Sequence, residues 1–346
     1  MSIFGKRRQR LLSAASGFDS VVVTNPKNLF YLTDFWGGGI GIVRDDTTVL
    51  VTSVMEERRA TESGKEVEIV PTVGKLKQYE EVLSRLHGRV LSDEDDAGLG
   101  KTTTDVDLFI AVRRRKDAEE MARIGGASRR LDKIYKMLES SIRQGRTERQ
   151  VAADVMKLAT EEKLSPLPAE GSLSPVIIGS GENAAFPHAD LTDRKLRRGD
   201  MVVADIFFRY EGYCSDCTRT YAVGSVSQER RDAYQAVLDA QLQGVKLAKK
   251  GARGRAIHEG VNGVLKEHGL DAYFTHGTGH GVGIDIHESP SIGRTTKDIL
   301  REGDVVTIEP GVYLPGKFGI RIEDTLTIGD RTRVLFDYTK DLLVIG

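Results

Sequence analysis

The chain has 346 residues, enough for two domains that each bury a sizeable core. Its 50 Lys and Arg against 51 Asp and Glu leave a formal charge of -1, which gives no overall attraction for nucleic acid or an anionic membrane, so neither is expected as a partner. No stretch approaches the roughly 18 apolar residues of a membrane span, and a cytoplasmic protein is expected.

Residues 1–10 are basic and run into Leu11-Leu12, superficially like a signal peptide. Ser13, Ser16 and Gly17 break the apolar run, so an amphipathic surface helix over 6–15 is the better account. Short β-rich runs at 20–24, 40–43, 48–52 and 67–70 alternate with helical stretches such as 76–86, which predicts a small α/β domain over residues 1–115. The basic clusters Arg113 to Lys116 and Arg197-Arg198 are expected to be solvated faces. From 116 to 346 the pattern changes to helices (118–142, 148–162, 228–249, 254–268) interspersed with hairpins, which predicts an α+β domain. Cys214 and Cys217 form a CxxC, yet on an alternating strand residues three apart face opposite sides and no second pair completes a zinc site. Two reduced thiols are expected.

The chemistry gathers in the second domain. Runs 201–209 and 213–223 should fold back on one another around Tyr210-Glu211-Gly212. With the turn centred between Tyr210 and Glu211, Asp205 and Asp216 become cross-strand neighbours, about 4.5 to 5.5 Å apart at Cβ. A second hairpin, 305–313 with 320–328 through Pro315-Gly316-Lys317, sets Glu309 opposite Glu323, each seven residues from Gly316. Like charges opposed in this way destabilise a sheet unless something positive lies between them. A glycine-rich run, His276 to Gly283, lacks the Lys-Ser/Thr ending of a phosphate loop and the spacing of a dinucleotide fingerprint. Its glycines instead allow close backbone approach while His280 supplies a nitrogen ligand. Four carboxylates and an imidazole suit two divalent ions such as manganese, cobalt or zinc, with four negative ligand charges against about four positive ones.

Asp205, the Tyr213 to Arg219 segment, His276 to Gly283, His287-Glu288, Glu309-Pro310-Gly311 and Arg321-Ile322-Glu323-Asp324 together resemble the pita-bread metallopeptidases, in the branch of Xaa-Pro aminopeptidases and Xaa-Pro dipeptidases (prolidases). The first domain resembles that branch more loosely, in its length and at Asn28 to Thr33. The resemblance implies a creatinase/prolidase-like α/β domain followed by an α+β pita-bread catalytic domain. It implies that Asp205 holds one metal in bidentate fashion, that Asp216 and Glu323 bridge both, and that His280 and Glu309 complete the other. Glu309 would also handle the proton of the attacking water, while His188 and His287 would meet the substrate and stabilise the tetrahedral intermediate. Arg321 would be a structural ion-pair partner or a substrate contact. The substrate implied is a peptide with proline at its second position, and the assembly a homodimer.

Two positions depart from the pattern. Ala189 replaces the glycine common after the first substrate-side histidine. Ser291 stands where several prolidases carry an arginine for the dipeptide's carboxylate; Arg294 could substitute, and the loss tilts the expectation towards an aminopeptidase. Two alternatives remain. A methionine aminopeptidase would share the ligands but usually lacks the first domain, and a non-catalytic pita-bread binding module would typically have lost ligands.

Overall fold

The computed structural model describes residues 1–167, 174 and 176–345. Its contacts divide it into two compact units, Met1–Asp117 and Ala118–Gly346. The first carries strands β1 (Ser20–Val23), β2 (Ile40–Val43), β3 (Thr48–Ser53), β4 (Val67–Thr72), β5 (Val90–Ser92) and β6 (Thr103–Thr104), in the sheet order β4-β3-β2-β1-β5-β6. Around it lie helices α1 (Ile3–Ala14), α2 (Pro26–Thr33), α3 (Glu57–Ser63), α4 (Lys75–Arg85) and α5 (Val106–Arg114). Alternation along β3 sends Val49 and Val51 to Val82 of α4, and Leu50 to Leu29 and Ala60 on the other face. Helix α2 starts where Asn25 accepts a hydrogen bond from the Lys27 amide and Pro26 presets the first turn. Arg113, Arg114 and Lys116 are buried and do not form the expected solvated face. The two arginines occupy the last turn of α5, where cations complement the carbonyl end of the helix. Arg197 and Arg198 are exposed, as expected.

The second unit opens with α6 (Ala118–Ser141) and α7 (Glu148–Glu161), the latter begun by a capping box between Thr147 and Gln150. Strands β7 (Ser165–Pro166), β8 (Ile177–Ser180), β9 (Met201–Tyr210) and β10 (Tyr213–Val223) follow, then α8 (Gln228–Leu247) and α9 (Gly254–Glu267). Next come β11 (Gly279–Gly281), β12 (Glu288–Ile292), β13 (Val305–Ile308), β14 (Gly311–Leu314), β15 (Phe318–Arg321), β16 (Asp324–Thr327), β17 (Arg333–Val334) and β18 (Val344–Ile345). One sheet runs β18-β10-β9-β7 with β8 also on β9, and another runs β12-β11-β13-β16-β17; β14 and β15 form a separate ribbon.

Strand parity divides the chemistry from the core. Val202, Ala204, Ile206 and Phe208 of β9, with Cys217, Tyr221 and Val223 of β10, pack with Leu131, Tyr135 and Leu138 of α6 in one apolar cluster. The alternate residues Asp205, Phe207 and Asp216 point the other way, into a cavity of about 620 Å³. Cys214 and Cys217 are free, buried thiols.

Candidate active site

The first hairpin turns one residue later than its spacing suggested. Tyr213 pairs with Tyr210, so Asp205 faces Thr218 and Asp216 faces Phe207. The two acids are diagonal neighbours on one face rather than directly opposed. The reason is the turn: Glu211 (φ 47) and Gly212 (φ 86) both take positive φ, the pattern of a two-residue type I′ connection. Moving the turn centre by one residue slides the register by two, which preserves the face and alters only the offset.

The second hairpin is centred on Gly316 (φ 69), and both of its ladders, β13 with β16 and β14 with β15, keep the register that opposes 309 and 323. The ladders stop short of these two residues. The Glu309 amide donates instead to the Thr278 carbonyl (2.8 Å) in the glycine-rich run, and the Glu323 amide to the Thr218 carbonyl (3.0 Å) of β10. Opening the hairpin at this step delivers each acid to a different neighbour. Close packing of the glycine-rich run is enforced at Gly279, where a Cβ would lie 2.0 Å from the Thr307 carbonyl oxygen.

Asp216, His280 and Glu323 each place a ligand atom within 4.8 Å of the others. His280 Nε2 lies 3.3 Å from Glu309 Oε1 and 3.8 Å from Asp216 Oδ2. Asp205 joins through Arg321, whose Nη2 donates to Asp205 Oδ2 at 2.5 Å. The rest of that guanidinium donates to Thr218 Oγ1, the Pro187 carbonyl and the Tyr313 hydroxyl. Four of its five N–H groups are thereby used inside the protein, which gives Arg321 the geometry of an ion-pair partner. Thr218 donates to Glu323 Oε2 (2.7 Å). On the far face of the strands Arg219 pairs with buried Asp324 (2.8 Å) and donates to the Glu323 carbonyl. His188 and His287 are exposed and line the cavity, and the His287 ring meets that of His280 edge-on at 4.2 Å.

The electrostatics call for positive charge. Burial, reinforced by the facing acids, pushes the Asp216 and Glu323 carboxyls well above the usual range. Burial also opposes ionisation of Glu309, yet its hydrogen bond to His280 prevails and holds it at about 2. For His280 burial works against the imidazolium, and the Glu309 carboxylate outweighs it, raising the imidazole. Asp205 Oδ1, Asp216 Oδ1 and Glu323 Oε1 are buried without a hydrogen-bond donor. Three orphaned carboxylate oxygens converging beside an imidazole are a donor set that fits divalent cations.

Residues 122–330 match the model of metallopeptidase family M24, and residues 7–134 match the creatinase/prolidase N-terminal domain. The chain belongs to family M24. A relative from Pyrococcus furiosus named Xaa-Pro dipeptidase is 35% identical, over 90% of this chain and 91% of its own. Among solved structures, an Xaa-Pro dipeptidase from Bacillus anthracis superposes with a TM-score of 0.90 at 28% identity, covering 98% of this chain and 99% of that one. An X-Pro aminopeptidase from Thermotoga maritima gives 0.87 at 28% identity, covering 98% and 100%. The pita-bread fold expected for the catalytic unit is thus shown, as is a creatinase-type N-terminal domain. Membership in this family implies divalent metal ions, which the carboxylate and imidazole cluster suits. Among the described residues no helix is long and apolar enough to cross a membrane.

Sequence reasoning passed over Thr218, Thr307 and Tyr313. Thr218 was detectable, since it shares strand parity with Asp216 two residues away. Thr307, which donates to Glu309 (3.2 Å) and accepts from the His280 amide (3.0 Å), carried no comparable signal, because its partners lie across a register that only folding fixes.

Proposed function

We propose that this chain hydrolyses the peptide bond preceding proline in N-terminal Xaa-Pro substrates, using two divalent cations held by Asp205, Asp216, His280, Glu309 and Glu323. The observation that carries this reading is the set of three donor-less carboxylate oxygens beside His280 and Glu309, in a cavity open to solvent. Asp216 and Glu323 each bring a ligand atom within 4.8 Å of the other and of His280, and would suit bridging positions. Asp205 has Oδ1 free and would share Oδ2 with Arg321. Two such ions, manganese, cobalt or zinc, would when bound supply Lewis acidity and a nucleophilic water at neutral pH.

The chain's own groups do the rest. Glu309, with Oε1 3.3 Å from His280 Nε2, is placed to accept a proton and return it to the leaving amine. His188 and His287, at the cavity wall, can donate to the substrate carbonyl as it gains negative charge. Ile177, Phe186, Phe207 and Ile286 supply apolar wall for a pyrrolidine ring.

Dipeptides are the favoured substrates, against the tilt towards aminopeptidase that Ser291 suggested. Relatives named Xaa-Pro dipeptidase support this. Ser291 is exposed on β12, whereas Arg294 lines a second cavity of about 660 Å³ that shares Thr275, His276 and Gly277 with the first. A cation is therefore available near the site for a substrate carboxylate.

The test compares an Xaa-Pro dipeptide, an Xaa-Pro tripeptide and a Met-Ala peptide after loading with manganese, cobalt and zinc in turn. A kcat/KM highest for the dipeptide is expected. Preference for the tripeptide would make the chain an aminopeptidase, and preference for Met-Ala a methionine aminopeptidase. No cleavage of any of them by fully loaded protein would favour a binding module. The family resemblance also supports a cytoplasmic homodimer; a monomer mass by light scattering would contradict the dimer.

A further inference from the structure

Glu148 is the first residue of α7 and its side chain is fully buried, away from the cavity wall. Its Oε1 accepts from the amide and hydroxyl of Ser180 (2.8 and 2.7 Å). Its Oε2 accepts from Asn183 Nδ2 (2.9 Å) and from the amide and hydroxyl of Thr192 (3.1 and 2.5 Å). A carboxylate offers about four lone-pair sites, so these donors saturate it and leave no capacity for a cation or a substrate.

The partners are not scattered. Ser180 closes β8, and Thr192 lies beyond the far end of the segment that follows it. Between them run the 3-10 turn Gly181–Ala185 and then Phe186, Pro187 and His188, which line the catalytic cavity. The middle of the segment is held separately. The Pro187 carbonyl accepts from Arg321 (3.1 Å), and the Ala184 carbonyl rests against Gly319, where a Cβ would come within 1.8 Å of it. Arg194 adds a second tie by donating to Ser180 Oγ while paired with Asp200.

We propose that Glu148 is a positioning residue for His188: one carboxylate fastens both ends of the segment that presents this histidine, and so sets turnover without touching substrate. Misplacement of a reacting group by about 1 Å is enough to cost on the order of 100-fold in rate. A residue that held the segment only for folding would change stability and leave the contribution of His188 intact.

The proposal rests on Xaa-Pro hydrolysis for its kinetic arm and carries a structural arm that does not. Glu148→Gln, His188→Ala and the double variant, all metal-loaded, are compared on an Xaa-Pro dipeptide. Glu148→Gln is expected to lower kcat by about tenfold or more with little change in KM, and to have no further effect once His188 is alanine. Rate losses that multiply in the double variant would overturn the proposal. Amide hydrogen exchange over 181–191 is measured in parallel, and protection is expected to fall there in Glu148→Gln while α6 and β10 keep theirs. Unchanged protection would also overturn it, even if the wild type cleaved no Xaa-Pro peptide and the functional reading had failed. Should Glu148→Gln not fold, Asn183→Ala and Thr192→Val each remove one side-chain donor, and the same two readouts apply to them.

Discussion

Stripping the cations from the site should destabilise the catalytic unit, and more so as the pH rises. In the metal-free cluster Asp216 and Glu323 have carboxyl pKa values raised well above normal, by burial first and by the facing acids second. A raised folded-state value means that the folded protein holds these protons more tightly than the unfolded chain does. The stabilisation is therefore complete below the ordinary carboxylate value near 4 and is lost as pH climbs through the folded values. Glu309 has the opposite sign: held at about 2, it contributes stability above its ordinary value and loses it only towards strongly acidic pH. Bound cations replace the missing protons and flatten the profile. Three buried oxygens lack donors, and each such group costs roughly 1–3 kcal/mol, so the loss at alkaline pH should be at least about 3 kcal/mol. For a unit of about 230 residues that corresponds to a drop of about 6–12 °C. Thermal melts of chelated and manganese-loaded protein from pH 5 to pH 8 should show a gap that widens with pH. A gap that is absent after verified metal removal, or that narrows as pH rises, would refute the reasoning.

Asp216→Ala should abolish turnover, because it removes a carboxylate central to the cluster; kcat near the wild-type value at saturating metal, measured on an Xaa-Pro dipeptide, would contradict that role. Arg321→Met should destabilise the metal-free protein by about 3–5 kcal/mol, since it leaves Asp205 buried with neither oxygen paired. The loss should shrink in the metal-loaded protein, where Asp205 has a counterion, and denaturant titrations of both forms check this; equal losses would argue against cation binding at Asp205.

The ligand candidates were legible because each lies in a local pattern: paired acids at matched distances from a turn, or a histidine in a glycine-rich run. Gly316 marked the second turn correctly. The first was misplaced by one residue because Glu211 adopts positive φ, which its side chain does not advertise. Strand parity protected the conclusion, since a register slide of two keeps both acids on one face. Long-range exchanges of partner could not be read in this way. The amides of Glu309 and Glu323 leave their own hairpin for Thr278 and Thr218, and the buried pair of Arg219 and Asp324 joins residues over a hundred positions apart. Helix α2 was missed as well, although Asn25 followed by Pro26 is a helix-start signal.

Five residues are proposed to hold two cations in one cluster. Manganese bound per chain, counted by equilibrium dialysis on metal-free protein with its electron paramagnetic resonance spectrum recorded at saturation, tests it most directly. Two tightly bound ions with an exchange-coupled spectrum are predicted, because ions sharing carboxylate bridges lie about 3.5 to 4 Å apart. A plateau at one ion per chain, or two ions with the spectra of isolated centres, would contradict the account.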